Sequence, residues 1–153
     1  MIDGENMDLK TDLIERFEYD LWANLQWLEA IPNMPDSTRA VQVIAHVAWA
    51  EEIWLHRLVP NWSHPGGELH ELLTTVSAGW RELVSSSDLD HVVDYKNTKG
   101  VPNRRALGAI ASHVVNHGTY HRGQLRGIAE AQGFEGFPET DLIGFYIVND
   151  LHQ

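Results

Sequence analysis

Leu9, Leu13, Phe17, Leu21, Leu25 and Leu28 recur every three or four residues, the apolar stripe of an amphipathic helix. Pro32 and Pro35 end that helix. Asp36 or Ser37 can cap a second one, which carries Val43, Val47, Ala50, Ile53, Trp54 and Leu58 on one side and stops at Pro60. The turn-rich stretch from Asn61 to Gly67 is a loop. A third helical stripe follows in Leu69, Leu72, Leu73, Val76, Trp80, Leu83 and Val84, closed by Ser85, Ser86 and Ser87. From His91 to Pro102 the pattern changes. The β-branched pair Val92-Val93 and the Lys99-Gly100 turn signal predict a short extended segment or irregular hairpin. Asn103 is the expected cap of a long fourth helix, which runs to about Gln132 and ends at Gly133. A last short helix starts near Pro138 to Asp141, with Thr140 as its expected cap, and runs through Asp150. The pattern predicts an all-α protein, a bundle of about four to five helices around one core.

Composition narrows the picture. The 153 residues suit a single domain spanning 1–153, and no repeat or interdomain linker interrupts them. Six Trp in so short a chain is high, and most are expected to pack in the core or at an interface. With 11 basic and 22 acidic residues the formal charge is −11, with no basic cluster to meet a phosphate backbone. Nucleic acid and anionic membrane surfaces are therefore disfavoured as partners. The start, Met1 to Lys10, is polar and does not resemble a secretory signal. No apolar run approaches the roughly 18 residues of a membrane span. The expected location is the cytoplasm. Cysteine is absent, which excludes disulfides, cysteine-containing zinc sites and a protein thiol nucleophile. Any thiol chemistry must use a thiol supplied by a small molecule.

The candidate chemistry lies in the nine histidines. His56, His64, His70, His91 and His152 fall at loops, helix ends or polar faces. His113, His117 and His121 recur every fourth residue of the long helix, so neighbours in this series share a face. Two imidazoles at that spacing can chelate one ion. The pair could be 113/117 or 117/121. Against the stripe of Leu107, Ile110, Val114, Leu125 and Ile128, His121 falls roughly 10° from the centre, His117 roughly 50° and His113 roughly 90°. The inward pair is therefore 117/121. A single His on an apolar face is usually a hydrogen-bonded core residue. Two in successive turns would each need their own partners, whereas one cation serves both. His46, on the side of Val47, Ala50, Ile53 and Trp54, is the natural third nitrogen. Three neutral imidazoles favour Zn or Ni over Mg or Ca, with Mn or Fe also admitted. Three protein ligands leave a coordination position open, as in catalytic sites. There is neither a His-Glu-x-x-His motif nor a Glu-x-x-His pair, so metalloprotease and di-iron bundle chemistries are excluded.

The segment His113-Val-Val-Asn-His-Gly-Thr-Tyr-His-Arg-Gly-Gln124 closely resembles the signature of the DinB/YfiT-like metalloprotein superfamily, an Asn-His followed by His-Arg-Gly-Gln on a long helix. Ile44 to Trp54 resembles that family's second helix, Tyr19 to Asn24 its first, and Thr140 to Gly144 its closing segment, so the likeness spans nearly the whole chain. The resemblance implies an up-down-down-up four-helix bundle. It also implies one divalent metal, often Ni, Zn or Mn, on His46, His117 and His121. Many members carry His where this chain has Tyr120, a position outside the implied ligand set. The family often forms dimers through its helices, so a homodimer is expected.

Characterised members include metal-dependent transferases and isomerases that use low-molecular-weight thiols. The expected activity is therefore thiol transfer to an electrophilic small molecule, with metal-dependent hydrolysis or a non-catalytic, metal-binding stress role as alternatives. No general base can be named. Glu51, Glu52 and Asp141 are candidates by nearness in sequence. Arg122 is expected in a structural ion pair or a helix contact, and Gly118 and Gly123 are expected to permit close packing or leave room beside the metal.

Overall fold

The computed structural model describes residues 8–153; of the polar stretch Met1 to Lys10, the first seven residues lie outside it. The described residues are mostly helical, with one two-stranded antiparallel sheet. In order it forms α1 (Leu9–Ala30), a short 3-10 turn (Ile31–Asn33), α2 (Thr38–Leu58), α3 (Leu69–Ser86), β1 (Val92–Lys96), β2 (Pro102–Ala106), α4 (Leu107–Ala131) and α5 (Leu142–Val148). Among the described residues no helix is long and apolar enough to cross a membrane.

Each long helix has two principal neighbours. α1 packs on α3 and α4, and α2 packs on the same two. One apolar cluster joins the start of α1 (Leu13, Phe17) to the far ends of α2 and α3 (Leu55, Trp80, Val84) and the start of α4 (Ile110, Val114). A second joins the end of α1 (Trp27) to the start of α2 (Val43, Ile44) and the end of α4 (Leu125, Ala129). Trp80 stacks on Phe17 with centroids 5.0 Å apart. Its indole N–H donates to the Glu51 carbonyl at 3.0 Å, so a large apolar surface is buried without stranding a donor. Trp27, also fully buried, belongs to the second cluster.

Helix starts and stops depart in part from the sequence reading. α1 is capped by Asp8, whose carboxylate accepts from the Thr11 amide at 2.8 Å. At α2 the Ncap position is Ser37, but the side chain that serves the first turn is that of Asp36, which accepts from the Thr38 amide at 3.0 Å. Asn103 is not a helix cap. It sits in β2 opposite Tyr95, and α4 begins four residues later with Ala106 at its Ncap position and no side-chain cap. The extended segment therefore reaches beyond Pro102. Its second strand, Pro-Asn-Arg-Arg-Ala, has no β-branched residue to announce it. The turn is organised by Asn97, whose side-chain oxygen accepts from the amides of Lys99 and Val101, with Gly100 at φ +77°. Gly133, at φ +67°, ends α4 as the sequence indicates. Thr140 does not cap α5; Asp141 holds that position without a side-chain bond. Thr140 instead accepts at its carbonyl from the Tyr19 hydroxyl and at its own hydroxyl from Trp27 Nε1, tying the closing segment to α1.

The buried face of α1 also differs from the leucine stripe. Beyond Phe17 the buried positions are Tyr19, Asp20, Ala23, Asn24 and Trp27, while Leu21, Leu25 and Leu28 are only half-buried. The helix is turned so that two polar residues face inward.

Candidate metal centre

His46 projects from α2, and His117 and His121 from successive turns of α4. Each offers a ring nitrogen, and these three atoms all lie within 4.8 Å of one another. His117 Nε2 and His121 Nε2 are 3.1 Å apart. The His46 ring centroid lies 5.1 Å from that of His117 and 4.6 Å from that of His121. The close packing of α2 on α4 sets this convergence. His113 is exposed, its ring 5.8 Å from His117, and it stands outside the three-nitrogen group.

The donor set fits a divalent cation. His121 Nδ1 faces Gln124 Oε1 at 2.9 Å. A carbonyl oxygen accepts, so Nδ1 carries the proton and the lone pair of Nε2 is left toward the other two rings. This is the tautomer a metal ligand needs, held by the kind of outer partner that metal-bound histidines use. Burial, with the charges that His121, His46 and His113 would carry, pushes the His117 pKa down from 6.5 to about 4, while Asp20 acts in the opposite sense. Burial and His121 also lower that of His46. Both rings are thus held in the neutral, metal-binding form near neutral pH.

His117 and His121 are half-buried, and neither lies on the most buried line of α4. That line runs through Ala111, Val115, Gly118, Arg122, Leu125 and Ala129. Arg122 therefore points into the protein. It donates to Asp20 at 2.6 Å and to Asn24 at 2.7 Å from one nitrogen, and to Thr119 at 3.1 Å from the other. The expected structural ion pair is present, buried at 3% exposure. Gly118 makes room for it. A Cβ there would sit 2.3 Å from Asp20 Oδ1 and 3.0 Å from the guanidinium. A Cβ at Gly123 would meet nothing within 4 Å, so close packing does not require that glycine.

Glu51 of α2 completes this buried polar group. Its carboxyl faces Asp20 and Asn24, and among the described residues its Oε1 has no hydrogen-bond partner. Burial first, and then Asp20, push its pKa well above 4.5. Glu52, the next residue, turns elsewhere. Its Oε1 accepts from Trp62 Nε1 at 3.1 Å and faces His64 Nδ1 at 2.8 Å, so it anchors the loop after α2. Asp141 is exposed at the start of α5. Of the three base candidates, then, Glu51 sits in a closed network, and Glu52 and Asp141 have structural places of their own. The sequence reading did not assign roles to Asp20 and Asn24. The one local signal was their i, i+4 spacing on a single helix face; that Arg122 meets them from α4 is a tertiary fact.

His46 and His117 border a cavity of about 290 Å³. Trp49, Ile53 and Trp54 of α2 form apolar walls, and Tyr95 and Asn97 close it from the hairpin. Tyr120 is 72% exposed; it lies against the His121 ring edge-on and does not line this cavity. Comparisons with protein-family models, curated proteins and solved structures find no match.

Proposed function

We propose that this chain is a divalent-metal-dependent enzyme of the DinB/YfiT-like superfamily that joins a low-molecular-weight thiol to an electrophilic small molecule. The observation that carries the reading is the convergence of three imidazole nitrogens within 4.8 Å at the edge of a partly apolar cavity. A structural metal site is normally closed by a fourth protein ligand. No carboxylate among the described residues joins the three histidines here.

His46, His117 and His121 would hold the ion, with Zn or Ni preferred for an all-imidazole donor set. A bound ion supplies Lewis acidity, which lowers the pKa of a coordinated thiol or water and polarises a carbonyl. The chain's own contribution is positional. Gln124 fixes the His121 tautomer. The buried Asp20–Arg122 pair ties α1 to the same stretch of α4 that carries His117 and His121. Trp49, Ile53 and Trp54 exclude water from one side of the site.

In this reading the four long helices form an up-down-down-up bundle. The two shared clusters support it, because the start of α1 meets the ends of α2 and α3 and the start of α4. A cytoplasmic location and a homodimer are part of the proposal, and the homodimer rests on the family resemblance. Of the six tryptophans only Trp49 is exposed, so the others are accounted for within one protomer.

The test is turnover by protein loaded in turn with Zn, Ni and Mn, using several small thiols against electrophilic acceptors. Thiol-dependent product that disappears in His117→Ala is expected. Product formed with water alone would point to hydrolysis instead. Absence of turnover with every metal would contradict the enzyme reading and leave a metal-binding role.

A further inference from the structure

Arg57 stands apart among the eight arginines of the chain. Arg16, Arg104, Arg122 and Arg126 form ion pairs with carboxylates. Arg39, Arg81 and Arg105 donate hydrogen bonds to a side-chain or backbone oxygen. Among the described residues Arg57 alone makes neither kind of contact, in a protein that carries twice as many acidic as basic side chains. It is half-buried, with its guanidinium over the Trp54 ring at 4.5 Å and within 5.9 Å of the Tyr95 centroid. The two rings meet edge-to-face at 4.8 Å and hold the guanidinium in place. It lines the same cavity as His46 and His117.

An arginine orientated by aromatic faces, with no anionic partner among the described residues, is a preorganised receptor for a planar anion, because the guanidinium fork matches a carboxylate in a bidentate way. The rest of the wall is mostly apolar, and the cavity volume of about 290 Å³ lies at the small end of ligand sites. We propose that this cavity takes a small organic carboxylate, with its carboxylate on Arg57 and its apolar body against Trp49, Ile53 and Trp54. The opposite end of such a molecule then faces His46 and His117. That orientation rests on the metal-centre reading above, whereas the role of Arg57 does not.

The test uses the fluorescence of Trp49 and Trp54 to follow binding of benzoate, 3-phenylpropionate and 4-methylvalerate, each against its neutral amide, to metal-loaded and chelator-stripped protein. In the stripped protein at least one acid is expected to bind about 10-fold or more tightly than its amide. Arg57→Gln should remove that difference while amide binding and metal content stay unchanged. Arg57→Lys, which keeps the charge and loses the fork, should retain only part of it. Acid and amide binding equally to the wild-type protein would overturn the proposal, and that comparison needs no variant. So would the absence of binding by all three acids at millimolar concentration. An acid preference that vanishes on stripping and ignores Arg57→Gln would place the carboxylate on the metal, again against the proposal. Failure to bind metal, with the acid preference intact in stripped protein, would defeat the metal reading and leave the Arg57 assignment standing.

Discussion

Gln124 Oε1 lies 2.9 Å from His121 Nδ1, one turn along the same helix. That contact decides which nitrogen of His121 is free to bind a cation. It also gives the Gln of the His-Arg-Gly-Gln segment a physical task. Removal of such outer partners typically costs about 10–100-fold in metal affinity. Gln124→Ala is therefore expected to weaken binding by that range in a chelator-competition titration, with helical content unchanged. An affinity equal to that of the wild type would remove Gln124 from the site.

Arg122 is buried with Asp20 as its ion-pair partner. Truncation of one member of a buried pair leaves the other charge uncompensated, at about 3–5 kcal/mol. Arg122→Ala is expected to lower stability by that amount in urea unfolding.

At Gly118 the added methyl would meet Asp20 Oδ1, which the guanidinium holds in place. Gly118→Ala should destabilise by about 1–3 kcal/mol, although alanine is the better helix former by about 1 kcal/mol. A stabilised Gly118→Ala would show that Asp20 can move aside.

Glu51 yields the pH dependence. Its carboxyl pKa in the folded protein is raised well above the ordinary 4.5 by burial and by Asp20. Between 4.5 and the raised value the folded protein holds a proton that the unfolded chain has released. Stability therefore falls as pH rises through this window. Glu51→Gln keeps the shape and removes the titration. Its stability relative to the wild type should grow from pH 4.5 upward, as read from urea midpoints at a series of pH values. A constant difference from pH 4.5 to neutrality would mean that Glu51 is not held protonated.

The helical class, the boundaries near Pro60 and Gly133, and the convergence of His46, His117 and His121 were legible because each depends on local spacing or on a short motif. Three features were not. The second strand was hidden because Pro102 to Ala106 owe their conformation to pairing with Val92 to Lys96 rather than to their own propensity. The inward face of α1 was misjudged because a leucine count gives no weight to Asp20 and Asn24, which are buried only because Arg122 reaches them from α4. The wheel for α4 erred by the same omission. It put His121 near the centre of the stripe, whereas Arg122 and Gly118 lie on the most buried line and the two histidines flank it. Buried polar pairs are tertiary facts, and hydrophobic periodicity cannot report them.

The central claim is one metal ion on three histidines. Elemental analysis of protein equilibrated with Zn or Ni and then desalted tests it most directly, with His46→Ala, His117→Ala and His121→Ala measured alongside. About one ion per chain is expected in the wild type, lost in His117→Ala and His121→Ala and reduced in His46→Ala. Occupancy unchanged in all three variants, or no retained metal in the wild type, would contradict the account.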